Sequence, residues 1–163
     1  MSVTISKTGS VVRILAVDAL LLCFICVIPA LFHMTSLPLY KLNPMTMCLL
    51  VGILLVRDRR NGYLLAVLLP LVSMLVSGMP VPMKALCMVP ELLSIVFVYG
   101  VLERRIGVFG AVLSALLAGK IVYYALKAVL VSPLVLVGTN IWLQVVTVLM
   151  YGGLFALVKK LVD

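Results

Sequence analysis

Ser77-Gly-Met-Pro-Val-Pro-Met-Lys-Ala-Leu-Cys-Met-Val-Pro-Glu-Leu-Leu93 is the stretch on which the reading of the fold turns. Pro80 and Pro82 close one apolar run, Lys84 stands at the start of the next, and Pro90-Glu91 falls well inside it. A proline in a helix interior frees a backbone carbonyl, and a carboxylate in hydrocarbon is costly, so both belong where neighbouring helices or water satisfy them. The stretch therefore predicts a membrane helix with one polar side. An ionisable residue at the depth of Glu91 marks a functional site by default.

Composition widens this to the whole chain. The 163 residues are 65% hydrophobic and only 11% charged, with a mean hydropathy of +1.34, whereas a soluble domain is roughly half apolar. An all-α integral membrane protein follows, with residues 1–163 as a single transmembrane domain. A net charge of +8 would point to nucleic acid on a soluble surface, but the cations fall in short clusters between apolar runs. That is a topology signal, and no nucleic-acid partner is expected. Cys23, Cys26, Cys48 and Cys87 lie within apolar runs; the CxxC spacing of the first two lacks companion ligands, so they read as helix packing, and no cofactor or metal is expected. The first apolar run carries Asp18 and shows no small-residue cleavage site, so no cleavable leader is expected.

The runs predict six transmembrane helices, at about 12–32, 44–56, 63–77, 83–102, 106–131 and 139–158. Arg57-Asp-Arg-Arg-Asn-Gly62 and Glu103-Arg-Arg105 read as tight charged turns, and 33–44 as the longest polar-leaning connection. Lys7, Arg13, Arg57, Arg59, Arg60, Arg104, Arg105, Lys159 and Lys160 fall on one side, against Lys41 and Lys84 in the opposite loops. The positive-inside rule then places both termini in the cytoplasm.

With that orientation, Glu91 and Lys120 each lie about 12 Å below the outer ends of their helices. Helical spacing puts Lys84, Cys87, Met88, Glu91 and Ser94 on one side of the fourth helix, Lys120, Tyr123, Tyr124 and Lys127 on one side of the fifth, and Asn140, Gln144, Thr147 and Tyr151 on one side of the sixth. Lipid satisfies none of these lines, so they turn toward one another or toward water. One reading makes Glu91 and Lys120 a buried pair that locks the bundle, with Lys84 and Lys127 snorkelling outward. The other is a solute pocket closed by the connection carrying His33, Tyr40 and Lys41, with a cation excess suited to an anionic ligand. Trp142 reads as an interfacial anchor. Asp18 belongs to no stripe. Gly107, Ala111, Ala115 and Gly119 recur every four residues, which allows close approach of another helix, either of the same chain or of a partner.

Six helices with cytoplasmic termini, the long first connection, Gly78-Met-Pro-Val-Pro-Met-Lys84 and Met88-Val-Pro-Glu-Leu92 resemble the substrate-binding S components of energy-coupling factor (ECF) type ABC transporters. The resemblance implies a multi-pass protein of the bacterial inner membrane, without enzymatic activity of its own, that binds a vitamin-like solute near the extracellular face. It also implies partners: a membrane coupling subunit and two ABC ATPases, since the chain has no GxxxxGK[ST]. Docking to the coupling subunit would fall to Ala16 and Ala19, which are three apart where many members have alanines four apart, with Gly107, Ala111 and Ala115 as the other candidates. Substrate contacts would come from Glu91, Lys84, Lys120, Tyr123, Tyr124, Lys127, Asn140, Gln144, Tyr40 and Lys41. The alternative is a structural membrane subunit of a cell-envelope complex with no small-molecule ligand. An enzyme is not expected: the single histidine, His33, is at the outer boundary, while Asp18 and Asp58 lie on the opposite side. Carboxylates, phosphates and neutral heterocycles all remain open as the solute.

Overall fold

The computed structural model describes residues 2–35, 43–56, 58–130 and 141–162. They form five helical elements with no strand among the described residues: α1 (Ser2–Thr35), α2 (Pro44–Val56), α3 (Arg59–Ser77), α4 (Pro82–Leu130) and α5 (Ile141–Val162). Three contain stretches long and apolar enough to cross a membrane, Val11–Pro29, Arg59–Ser77 and Pro82–Leu130.

The 49 residues of α4 would measure about 74 Å if straight, more than twice a hydrocarbon core. The rod is broken at Gly107, whose φ of 74° and ψ of 171° are non-helical, a left-handed φ that glycine adopts without a Cβ clash. The second arm, 108–130, returns along the first, 82–106, so that Lys120 meets Glu91, 29 positions earlier in the chain. The break thus falls just after Glu103-Arg-Arg105, which stays helical, and two expected helices become the arms of one element.

Two other boundaries move for local reasons. Asp58 caps α3, its carboxylate accepting the Arg60 backbone N–H at 2.9 Å, so the helix starts at Arg59 and absorbs most of the expected charged turn. The helix α1 begins at Ser2, ten residues before the expected start. At the far end of α3, Gly78 takes a φ of 68° and donates its N–H to the Met74 carbonyl. The hydroxyls of Ser73 and Ser77 both reach the Met79 carbonyl, at 2.6 and 3.2 Å. Pro82 then opens α4 in its first turn, where a missing N–H costs nothing. These contacts fix how the Lys84 turn leaves α3.

The core joins all five elements: Leu21 and Ile25 of α1, Cys48 and Leu49 of α2, Leu65 and Leu69 of α3, Leu92, Ile95, Ala111, Ala115 and Leu116 of α4, and Tyr151 and Phe155 of α5. The helix α3 packs against α1, α2 and α4, and α5 lies on α4 and α2. Leucine, isoleucine and phenylalanine cover much of the outside, as in Leu20, Phe97, Ile121 and Leu157, a surface suited to hydrocarbon rather than water.

Asp18, which belongs to none of the polar stripes, pairs with a neighbour within the chain. It accepts a hydrogen bond from the Asn61 amide at 2.8 Å, and both residues are buried, joining α1 to α3. The small-residue line of α4 is corrected as a docking face: Ala111 and Ala115 are 0% exposed, so they have no surface left for an outside helix. At Gly119 a Cβ would stand 2.6 Å from Ile95 Cγ1 of the first arm, so this position serves the approach of the two arms. Gly107, Ala16 and Ala19 are exposed.

Candidate functional site

The site is built around Glu91, one turn beyond Cys87 and Met88 on the buried side of α4. Its carboxylate is 1% exposed, and Oε1 accepts from Lys120 Nζ at 2.7 Å and from the Asn43 amide at 3.3 Å. Ser94 adds a bond from its hydroxyl to the Glu91 carbonyl at 2.7 Å, a local back-bond within the helix. A carboxylate so deep needs both a counter-charge and a second donor, and α4's other arm and the start of α2 provide them.

Asn43 was not singled out by sequence reasoning. It precedes Pro44, which disfavours the right-handed region for the residue before it, and it takes a φ of 51°, which asparagine tolerates better than most residues. From there its carbonyl accepts the Thr46 and Met47 N–H groups at 3.1 and 3.4 Å, while its side chain reaches Glu91. The Asn-Pro pair at a helix start was the available signal; the 48-residue separation from Glu91 hid the contact.

The lysines of the second arm divide into two kinds. Lys120 is committed to Glu91. Lys127, two turns further on, faces the same Tyr123 ring as Lys120, the two ammoniums lying 5.9 and 5.7 Å from its centroid. Tyr124 braces that ring edge-on at 5.4 Å. Across from them Lys84, in the first turn of α4, completes a cavity of about 280 Å³ lined by Val81, Met83, Lys84, Cys87, Tyr123 and Lys127. Among the described residues neither Lys84 nor Lys127 makes a direct ion pair, although Lys84 is close enough to Glu91 to feel its charge. Three ammoniums, Lys84, Lys120 and Lys127, against the single carboxylate of Glu91 leave two positive charges, and both belong to residues on the cavity wall.

The stripe on α5 turns inward where it is described. Thr147 and Tyr151 are buried, and the Gln144 carbonyl oxygen is buried without a hydrogen-bond partner among the described residues, as is the Thr46 hydroxyl. Gln144 is not part of the cavity wall. Trp142 is 80% exposed. Asn140, Tyr40 and Lys41 lie outside the described residues, as do the 36–42 segment and its part in closing the site.

The arrangement offers charge and shape rather than chemistry. A buried, compensated pair fixes the two arms, and two uncompensated cations beside a tyrosine face a space about the size of a small metabolite. No family model matches the chain, and comparison with curated proteins and with solved structures gave no match.

Proposed function

We propose that the chain is a six-span membrane protein with cytoplasmic termini that binds a small anionic solute from the outer side, as the S component of an ECF-type importer does. The two arms of α4 count as two spans in this reading, and the cluster of Arg59, Arg60, Arg104, Arg105, Lys159 and Lys160 at the end away from Lys84 is its cytoplasmic face. A membrane coupling subunit and two ABC ATPases would act as partners, the exposed Ala16 and Ala19 face of α1 being the docking surface.

The observation that carries the proposal is the cavity walled by Lys84, Tyr123 and Lys127. Two lysines without a direct ion pair, placed beside a carboxylate that Lys120 already holds, make sense if an anion completes them. In this reading the roles divide. Lys120, held by Glu91, positions Tyr123 and the second arm, while Lys84 and Lys127 meet the negative group and Tyr123 contacts an apolar or ring portion.

Native mass spectrometry of the detergent-solubilised protein is the test. A co-purified small anion in the wild type, lost in Lys127→Met with helicity intact, is the expected result. Wild-type protein that carries no such molecule, and whose Lys84 and Lys127 variants keep full stability and partner assembly, would favour the second reading, a structural subunit of a cell-envelope complex. That reading draws on the 2.7 Å Glu91–Lys120 contact, which by itself is what a locked bundle needs.

A further inference from the structure

A second cleft, of about 270 Å³, opens at the other end of the molecule, between the end of α2, the first turn of α3, the first arm of α4 and the end of α5. Its mouth carries two acids and two bases: Asp58, Glu103, Arg59 and Lys159. Three of the four are already committed. Glu103 is ion-paired with Lys159 and accepts the Tyr99 hydroxyl at 2.8 Å, and Lys159 also donates to that hydroxyl oxygen at 3.0 Å. Asp58 caps α3. Arg59 remains. Its guanidinium lies against α4 at Gly100, with Nε 3.5 Å from where a Cβ would stand; its charge acts on Glu103 through space, but no hydrogen bond from it is formed among the described residues.

We infer that this cleft binds the phosphodiester headgroup of a membrane phospholipid, with Arg59 as the phosphate ligand. The inference rests on the membrane-spanning reading but not on the solute pocket, which lies at the opposite end. The four charges of the mouth cancel, so the pull on an anion comes from the basic residues around it, while the Arg59 guanidinium, whose N–H groups make no hydrogen bond among the described residues, offers a planar fork to the oxygens of a phosphodiester. Beneath it, Ile53, Leu54, Val96 and Phe155 form an apolar wall, which suits the glyceryl esters that follow a lipid phosphate and does nothing for a hydrated free phosphate. Exposed Arg60, Arg104, Arg105 and Lys160 stand on the same end, so an anionic leaflet is held against the mouth.

The test uses the full chain in detergent, titrated with phosphatidylglycerol and followed by native mass spectrometry, with glycerol 3-phosphate as the soluble competitor. Arg59→Gln is expected to weaken the lipid adduct at least about tenfold, as for loss of a charge-assisted contact. Arg104→Gln, which lies off the cleft, is expected to lose no more than the roughly fivefold of one general surface charge. Arg59→Lys keeps the charge and loses the fork, and is expected to fall between the two; it carries the test if Arg59→Gln does not fold. Equal losses in the Arg59 and Arg104 variants overturn the site. Displacement of the lipid by equimolar glycerol 3-phosphate overturns its assignment to a lipid.

Discussion

Glu91 holds one carboxylate among three ammoniums in a place where removing either member of a pair is costlier than removing both. Glu91→Gln strands Lys120, and Lys120→Met strands Glu91; each is expected to cost about 3–5 kcal/mol, because an uncompensated charge is left in the interior. The double substitution is expected to cost less than either single one plus a small remainder, since the charges leave together. Thermal unfolding of the four proteins in one detergent measures this, and additive losses would count against a tight pair. Asp18→Ala is expected to destabilise by about 1–3 kcal/mol by leaving the buried Asn61 amide without its acceptor. The polar sides of the fourth and fifth predicted helices, with Glu91, Lys120, Tyr123 and Lys127, were legible in the sequence because helical spacing alone places them. Partners far along the chain were not: Asn61 sat in what read as a solvated turn, and Asn43 in what read as a loop, so neither could be matched to its acid.

Among the helices, the close crossing of the two α4 arms depends on Gly119. A Cβ there would stand 2.6 Å from Ile95 Cγ1 and 3.2 Å from the Glu91 carbonyl oxygen, and a backbone oxygen gives way less easily than a side-chain tip. Gly119→Ala is expected to cost about 1–3 kcal/mol of stability by forcing the arms apart. Gly153 on α5 has nothing within 4 Å of the same position, so Gly153→Ala is expected to be neutral or to stabilise by up to about 1 kcal/mol through helix propensity. The two thermal midpoints should therefore move in opposite directions or one not at all; a matching loss at both sites would contradict the crossing. The period of four in Gly107, Ala111, Ala115 and Gly119 announced a close approach, but periodicity does not name the opposing helix, and at Gly119 the opposing surface is the chain's own first arm. Helix ends were the least legible feature. A charge cluster reads as a turn, yet Asp58 as a cap draws Arg59 and Arg60 into α3, and a single left-handed glycine, not Glu103-Arg-Arg105, turns α4 back.

For the molecule as a whole, hydropathy made plain the helical class and the presence of helices long and apolar enough to cross a membrane, because apolar length is a property of sequence alone. The polarity of the two ends was equally plain: arginines and lysines gather opposite Lys84. What connects these into a function is whether an anion reaches the cavity from the Lys84 side. The most direct measurement replaces the four native cysteines, introduces Val81→Cys at the cavity wall, and compares labelling of intact cells by membrane-impermeant thiol reagents of opposite charge. Lys84 and Lys127 should draw the anionic reagent about tenfold faster than the cationic one, through electrostatic focusing in a cleft of one sign, and substitution of both lysines by Met should abolish the difference. Equal rates for the two reagents, or protection of the thiol from the outside, would contradict an externally open anion site.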